Sequence, residues 1–219
     1  MRGAIIFYHM LCVNDYKDRF EKTYSKIKTS GLIDLTAMIF VNCVGDEKEN
    51  GVEFLKQYEK VIPSTGDCDT DESSTLIKLW EICQIYDSNV LYLHSKGVTK
   101  PENINIQSWV DLMEYFAIED FEKCFKALTM YDTCGVNLSF QPMKHYSGNF
   151  WWANSKYIRT RDKFDVSKSS LIDDRRWYCE FWLLDSNNVN PISMHQADCD
   201  LYANIYKREK YDRNFKNNQ

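Results

Sequence analysis

His94, Ser95, Lys96 and Gly97 follow directly on the apolar run Val90-Leu91-Tyr92-Leu93. A lysine neutralises an anion as a point charge, a serine donates a hydrogen bond, and a glycine lets the backbone approach a ligand closely. Together these residues suit a phosphate, although a strand followed by an ordinary polar turn would look the same. Tyr8, His9 and Met10 close another apolar run, residues 4–7. A flat ring beside a hydrogen-bonding imidazole suits a nucleobase, and it also suits a core tyrosine with a satisfied histidine. In His145-Tyr146-Ser147-Gly148-Asn149-Phe150-Trp151-Trp152, Ser147, Gly148 and Asn149 offer polar groups to sugar hydroxyls. Trp151 and Trp152 offer ring faces to C–H surfaces, or else fill a core. Glu180 stands among Trp177, Tyr178, Phe181 and Trp182. Desolvation there would raise its pKa toward that of a working base, and Arg176, four residues earlier, offers a helical ion pair instead.

Two acidic clusters could hold a divalent cation. One is Asp67-Cys68-Asp69-Thr70-Asp71, and the other is Asp198-Cys199-Asp200 shortly after His195. Oxygen ligands suit Mg2+ or Mn2+, and a histidine favours Mn2+. The first cluster lacks the glycine and closing glutamate of a calcium loop, and acids in such a loop are often solvated turn residues. The sequence has no Gly-x-Gly-x-x-Gly, no Gly-x-x-x-x-Gly-Lys-Ser/Thr and no Gly-x-Ser-x-Gly. These absences argue against a dinucleotide dehydrogenase, a P-loop enzyme and a serine hydrolase.

Strands alternate with helices in the part of the chain that must position these residues. Residues 4–7, 35–41, 61–62 and 89–93 read as strands. Residues 15–29 and 52–58 read as helices, as does a segment capped by Asp71 with Leu76, Leu79, Trp80 and Cys83 on one face. The alternation predicts an α/β fold with parallel βαβ units, a Rossmann-like mostly parallel sheet flanked by helices. Beyond residue 101 a long helix is expected over 106–130, a strand over 134–138, and helices over 154–160 and 173–184. From residue 207 onward the chain is charged and reads as a tail.

At 219 residues, 44% hydrophobic and 15% aromatic, with only 4 prolines, the chain reads as one domain with no internal linker. Its net charge of −5 provides no basic field for nucleic acid. No apolar run reaches the roughly 20 residues needed to span a bilayer. The 8 cysteines form no Cys-x-x-Cys pair, which argues against structural zinc and fits a reducing cytoplasm.

The strand ending in Leu-His-Ser-Lys-Gly, the segment Ser-Gly-Asn-Phe-Trp-Trp-Ala and the run Arg-x-x-x-Glu-x-Trp together resemble GT-A-fold glycosyltransferases of bacteria and large algal DNA viruses, including chlorella-virus enzymes. The resemblance covers residues 5–182. It implies a single GT-A domain over residues 1–206, followed by a charged tail (207–219). It implies a nucleotide-sugar donor, UDP-linked, and transfer to a hydroxyl of a glycan or glycoprotein acceptor. Tyr8, His9, Met10, Val44, Lys78, His94, Ser95, Lys96 and Gly97 would then bind the nucleotide. Ser147, Gly148, Asn149, Trp151 and Trp152 would bind sugar or acceptor, and Glu180 would be the base of an inverting transfer. Such enzymes carry Asp-x-Asp where this chain has His94-Ser95-Lys96. Either Lys96 supplies the charge, or Asp198, Asp200, His195 and Asp69 bind Mn2+ or Mg2+. A non-catalytic carbohydrate- or nucleotide-binding module and a metal-dependent phosphoesterase built on residues 67–71 are the alternatives.

Overall fold

The computed structural model describes residues 3–66, 71–167, 175–212 and 215. The amino-terminal half alternates strictly: β1 (Ala4–Leu11), α1 (Tyr16–Thr29), α2 (Leu32–Leu35), β2 (Thr36–Val44), α3 (Lys48–Leu55), β3 (Val61–Thr65), α4 (Ser73–Ile85) and β4 (Asn89–His94). Then follow α5 (Ile104–Glu114), α6 (Phe121–Ala127), β5 (Thr133–Gly135), the hairpin β6 (Leu138–Ser139) and β7 (His145–Tyr146), β8 (Trp151–Asn154), α7 (Ser155–Arg159), α8 (Arg175–Phe181) and β9 (Pro191–Ser193). One seven-stranded sheet runs in the order β3-β2-β1-β4-β8-β5-β9. The pairs β1–β2, β1–β4, β2–β3 and β5–β9 are parallel, and β8 is antiparallel to both of its neighbours. The mostly parallel sheet of one α/β domain, flanked by helices, is therefore what forms.

The two-residue period of the strands sorts their side chains between two cores. Ala4, Ile6, Tyr8 and Met10 of β1 join Phe20 and Tyr24 of α1 and Trp109 and Met113 of α5. Ile5 and Phe7 join Leu76 and Leu79 of α4 and Ile158 of α7 on the opposite face. Helix starts follow local chemistry. The Asn103 side chain caps α5, accepting from the amides of Asn105 (3.1 Å) and Ile106 (3.2 Å). Asp71, expected as a cap, accepts from the amide of Ser73 at 2.9 Å, just ahead of α4.

The carboxyl-terminal half departs from expectation in several places. The long helix over 106–130 is instead α5, a wide turn of π-helix (Tyr115–Glu119) and α6. The amide of Asp120 reaches back five residues to the Tyr115 carbonyl, 2.8 Å. Carbonyls released by this shift are taken up by side chains: Trp152 Nε1 donates to Ala117 O at 2.8 Å, and Cys124 Sγ to Phe116 O at 3.2 Å. The strand expected over 134–138 breaks near Asn137, whose φ is +52°. The polar-aromatic segment becomes β7, a left-handed turn at Gly148 and Asn149 (φ +91° and +59°) and the central strand β8. β9 was not anticipated, because three residues are too few to show a period. In the expected tail, Tyr211 is buried and stacks on Tyr206 at 6.0 Å, and Arg208 binds Glu119 and Asp212. A boundary at residue 206 falls between those two rings. Residues 213, 214 and 216–219 lie outside the described residues, as do the first positions of the helix expected over 173–184.

Candidate substrate site

The chain leaves β1 for β2 on one side of the sheet and later places β4 on the other. The β1–β4 boundary is thus a topological switch point, where connections diverge and leave a crevice outside the carboxyl ends of the strands. The loops after β1, β4, β5 and β9, and the loop before the reversed strand β8, all open onto this rim. Topology alone therefore brings residues 94–97 to the turn at 147–149. His94 Nε2 donates to the Gly148 carbonyl at 3.0 Å, and its ring meets the edge of Phe150, centroids 5.1 Å apart. Ser95 Oγ accepts from the amide of Leu11 at 2.9 Å, tying β4 to β1. Asn14 Nδ2 donates to Val98 O at 2.9 Å and closes the same seam. Lys96 is buried, with its Nζ 4.0 Å from the centroid of Trp109 and 5.9 Å from that of Tyr202. That contact is a cation–π interaction with the indole face. Gly97 adopts φ +86°, and a Cβ there would stand 2.9 Å from Ile106 Cγ2, so both the turn and the approach of α5 require glycine.

Most of the other expected site residues belong to the interior. Tyr8 and Met10 are 1% and 0% exposed. Strand parity turns them into the α1-side core, where Tyr8 packs edge-on against Phe20, and neither offers a face to a base. Burial raises the pKa of the Tyr8 phenol. His9 points to the opposite face and hydrogen bonds through Nδ1 with Thr75 Oγ1 at 2.9 Å. Val44 is buried, and its carbonyl accepts from Cys12. Lys78 is exposed on α4. Trp151 and Trp152 are core residues because β8 is a central strand covered on both faces. Trp151 stacks on Tyr92 and Trp152 meets Phe125 edge-on, both with centroids 5.0 Å apart. Asn149 is buried and turned inward: its Nδ2 donates to Glu72 at 2.5 Å, and its Oδ1 accepts from Trp151 Nε1 at 2.9 Å. Glu180 is half-buried on α8, between the core residues Cys179 and Phe181. The side chain of Arg176 lies outside the described residues.

Among the described residues the expected cation ligands do not assemble. Both carboxylate oxygens of Asp198 accept from Lys210 Nζ, at 2.9 and 3.2 Å. His195 Nε2 hydrogen bonds with the Tyr206 hydroxyl at 2.9 Å, and Asp200 Oδ1 accepts from the amide of Tyr202 at 2.8 Å. Asp69 lies outside the described residues, as does most of the 67–71 cluster. Among the described residues no three His, Cys, Asp or Glu side chains are placed to hold a metal ion. The set His195, Asp198 and Asp200 thus does not fit Mn2+ or Mg2+ in this arrangement.

On the rim lies a cavity of about 240 Å3 lined by Trp109 and Tyr202, by Asn137, Ser139 and Ser147, and by Gln196 and Asp200 among others. Residues 7–171 match the family described as Domain of unknown function (DUF8361). The chain belongs to that family. No curated protein matches its sequence. Among solved structures, the 4-diphosphocytidyl-2C-methyl-D-erythritol synthase of Anaerococcus prevotii DSM 20548 aligns over 95% of this chain and 94% of that one, at 14% identity and TM-score 0.51. HddC from Yersinia pseudotuberculosis aligns over 90% and 91%, at 8% identity and TM-score 0.50. At such identities the likeness is one of fold.

In this DUF8361 chain, several rim residues carry little signal in the sequence. Glu72, 7% exposed, accepts from the Tyr92 hydroxyl at 2.6 Å as well as from Asn149, and so fixes the turn that carries Ser147. A glutamate just ahead of a helix carries no local sequence signal of burial. Asp15, in the loop after β1, keeps a buried Oδ1 with no partner. Trp109 falls within the helix expected over 106–130, where nothing in the sequence sets its indole apart. Asn137 carried the usable signal: an amide side chain interrupting the apolar run Val136-Asn137-Leu138. As a whole, the site offers the DUF8361 rim hydroxyls, amides, ring faces and carboxylates, with the Lys96 charge packed on the Trp109 ring.

Proposed function

We propose that this chain is a transferase acting on a nucleotide-linked sugar. The observation that carries the reading is the β1–β4 switch point, which opens beside a polar, ring-walled cavity. The nucleotide, uridine diphosphate in the first instance, lies over the carboxyl ends of β1 and β2. There the unpartnered Oδ1 of Asp15 accepts a ribose hydroxyl or a base N–H. The diphosphate lies over the turn at 95–97, in the field of Lys96, and the sugar points toward Ser147. The diphospho-linked product in the name of the Anaerococcus synthase, which shares this fold, supports the assignment. In the transfer, an acceptor hydroxyl of a glycan or glycoprotein attacks the anomeric carbon. The bond from that carbon to the phosphate oxygen breaks, and its electron pair leaves with the nucleoside diphosphate. Positive charge at the leaving group lowers the barrier, and a carboxylate takes the acceptor proton if configuration inverts. Asp200 lines the cavity and Glu180 does not, so Asp200→Asn and Glu180→Gln variants distinguish the two as base. The transferase unit takes in residues 1–206 together with Arg208 and Tyr211, which pack against it. Its setting is the cytoplasm, consistent with the buried thiols of Cys12, Cys43, Cys83, Cys124 and Cys134. No helix of the described residues is long and apolar enough to cross a membrane.

A panel of nucleotide sugars, with and without Mn2+, tests the proposal by thermal shift, since a ligand that binds the native state raises Tm. At least one is expected to do so and to release nucleoside diphosphate. Pyrophosphate release from a nucleoside triphosphate plus a sugar phosphate would instead make the protein a nucleotidyltransferase, the second reading that the synthase fold favours. If no nucleotide sugar shifts Tm under either condition, the proposal fails.

A further inference from the structure

The rim cavity holds polar groups that the fold itself does not use. Trp109 and Asn137 line it and are 3% and 6% exposed. The Trp109 Nε1 and Asn137 Nδ2 donors have no hydrogen-bond partner. Buried donors are paired in the great majority of cases, so two unpaired ones on residues that line a single cavity call for an explanation. Asn137 is held on every other side. Its backbone amide donates to His195 O at 2.8 Å, its carbonyl accepts from the Ser147 amide at 3.0 Å, and its Oδ1 accepts from the Ala197 amide at 2.7 Å. The amide group is therefore fixed in orientation, and only its N–H groups remain to be satisfied. Trp109 is held in turn by Tyr202, which meets it edge-on at 4.8 Å, and by the Lys96 ammonium on its face.

The other walls say what kind of ligand would fit. Ser139 and Ser147 bring hydroxyls, Gln196 an amide and Asp200 a carboxylate, and among the described residues no lysine or arginine lines the cavity. Donors, acceptors and indole or phenol rings without a lining cation disfavour a phosphate and suit an uncharged, hydroxyl-rich ring. At about 240 Å3 the space is smaller than the roughly 300–1,000 Å3 of drug-sized pockets and matches a single ring. We infer that this cavity is a monosaccharide subsite in which Trp109 Nε1 and Asn137 Nδ2 donate to ring hydroxyls and so determine which sugar is accepted. The inference rests on the sugar-transferase reading for its biological sense, and on the cavity alone for its chemistry.

Ligand-observed saturation-transfer NMR with a panel of methyl glycosides, with and without UDP, and with inorganic phosphate as competitor, tests it. At least one glycoside is expected to bind, without displacement by phosphate. Trp109→Phe and Asn137→Asp should each weaken it roughly fivefold, the usual effect of one neutral hydrogen bond. Asn137→Asp keeps the Oδ1 that receives Ala197, and circular dichroism and Tm report whether either variant folds. Gln196→Ala, at an exposed position, should also weaken binding and serves if Trp109→Phe does not fold. Binding of no glycoside, displacement by phosphate, or affinity unchanged in the variants that fold overturns the inference. The two readings fail separately. If nucleotide sugars shift Tm while glycosides do not bind, only the subsite falls. If glycosides bind while no nucleotide sugar does, only the transferase reading falls.

Discussion

Replacing Glu72 by alanine should destabilise the protein far more than a change near a helix start normally does. Glu72 is 7% exposed, and its carboxylate accepts from the Tyr92 hydroxyl at 2.6 Å and from Asn149 Nδ2 at 2.5 Å. Tyr92 and Asn149 are 0% and 1% exposed, so both donors would be left buried and unpaired. Each orphaned donor costs about 1–3 kcal/mol, which gives about 4 kcal/mol for the pair. For a domain of this size that corresponds to a Tm lower by roughly 8–16 °C. A water entering the space left by the side chain would bring the loss toward the lower end. Glu72→Gln keeps an acceptor of the same shape and loses the charge assistance, so about 1–2 kcal/mol is expected. Tyr92→Phe removes one of the two orphans. The double variant Glu72→Ala/Tyr92→Phe should therefore be about 1–2 kcal/mol more stable than the sum of the single losses predicts. Urea denaturation followed by tryptophan fluorescence measures all four proteins. A loss below about 1 kcal/mol for Glu72→Ala, or strict additivity in the cycle, would refute the claim that this carboxylate anchors the turn at 147–149.

Burial lowers the pKa of His195 below 6.5, against the opposing charge of Asp198, with Phe116, Tyr206 and Tyr211 packed around the ring. The folded state thus resists a proton that the unfolded imidazole accepts, so this contribution is complete above pH 6.5 and is lost as the pH falls. His195→Gln should flatten the slope of stability against pH in that acid range, read by urea midpoints at a series of pH values. Gly148→Ala must hold a side chain at φ +91°, with its Cβ against Met113 Sδ and 3.1 Å from Trp109 Cε2. Left-handed strain and overpacking together predict a loss of about 2–4 kcal/mol, visible in a thermal melt.

The sequence by itself determined the parallel half of the sheet. Residues 4–7 and 90–93 are apolar at every position, and amphipathic helices separate them from their neighbours, so strands buried on both faces and linked by crossovers were legible locally. It also placed His94, Ser95, Lys96 and Gly97 at a strand end, because an apolar run that stops at polar residues marks the rim of a sheet. It could not say which face or neighbour each ring would meet. Trp151 and Trp152 have the same composition whether they bind a sugar or fill a core, and only the insertion of β8 between β4 and β5 buries them. Tyr8 and His9 point to opposite sides of one strand, so the covering of both faces, not adjacency in sequence, removed them from the rim. Glu72 and Asn149 are 77 residues apart in sequence, and Trp109 and Asn137 come from separate elements. Their pairings, and the donors left unpaired at the cavity, exist only once the loops after β5 and β9 close over α5. Short-range pattern decides where strands and helices run. Which polar atoms are used up by the fold and which remain for a ligand is a property of contacts between distant segments, and the tertiary structure alone decided it.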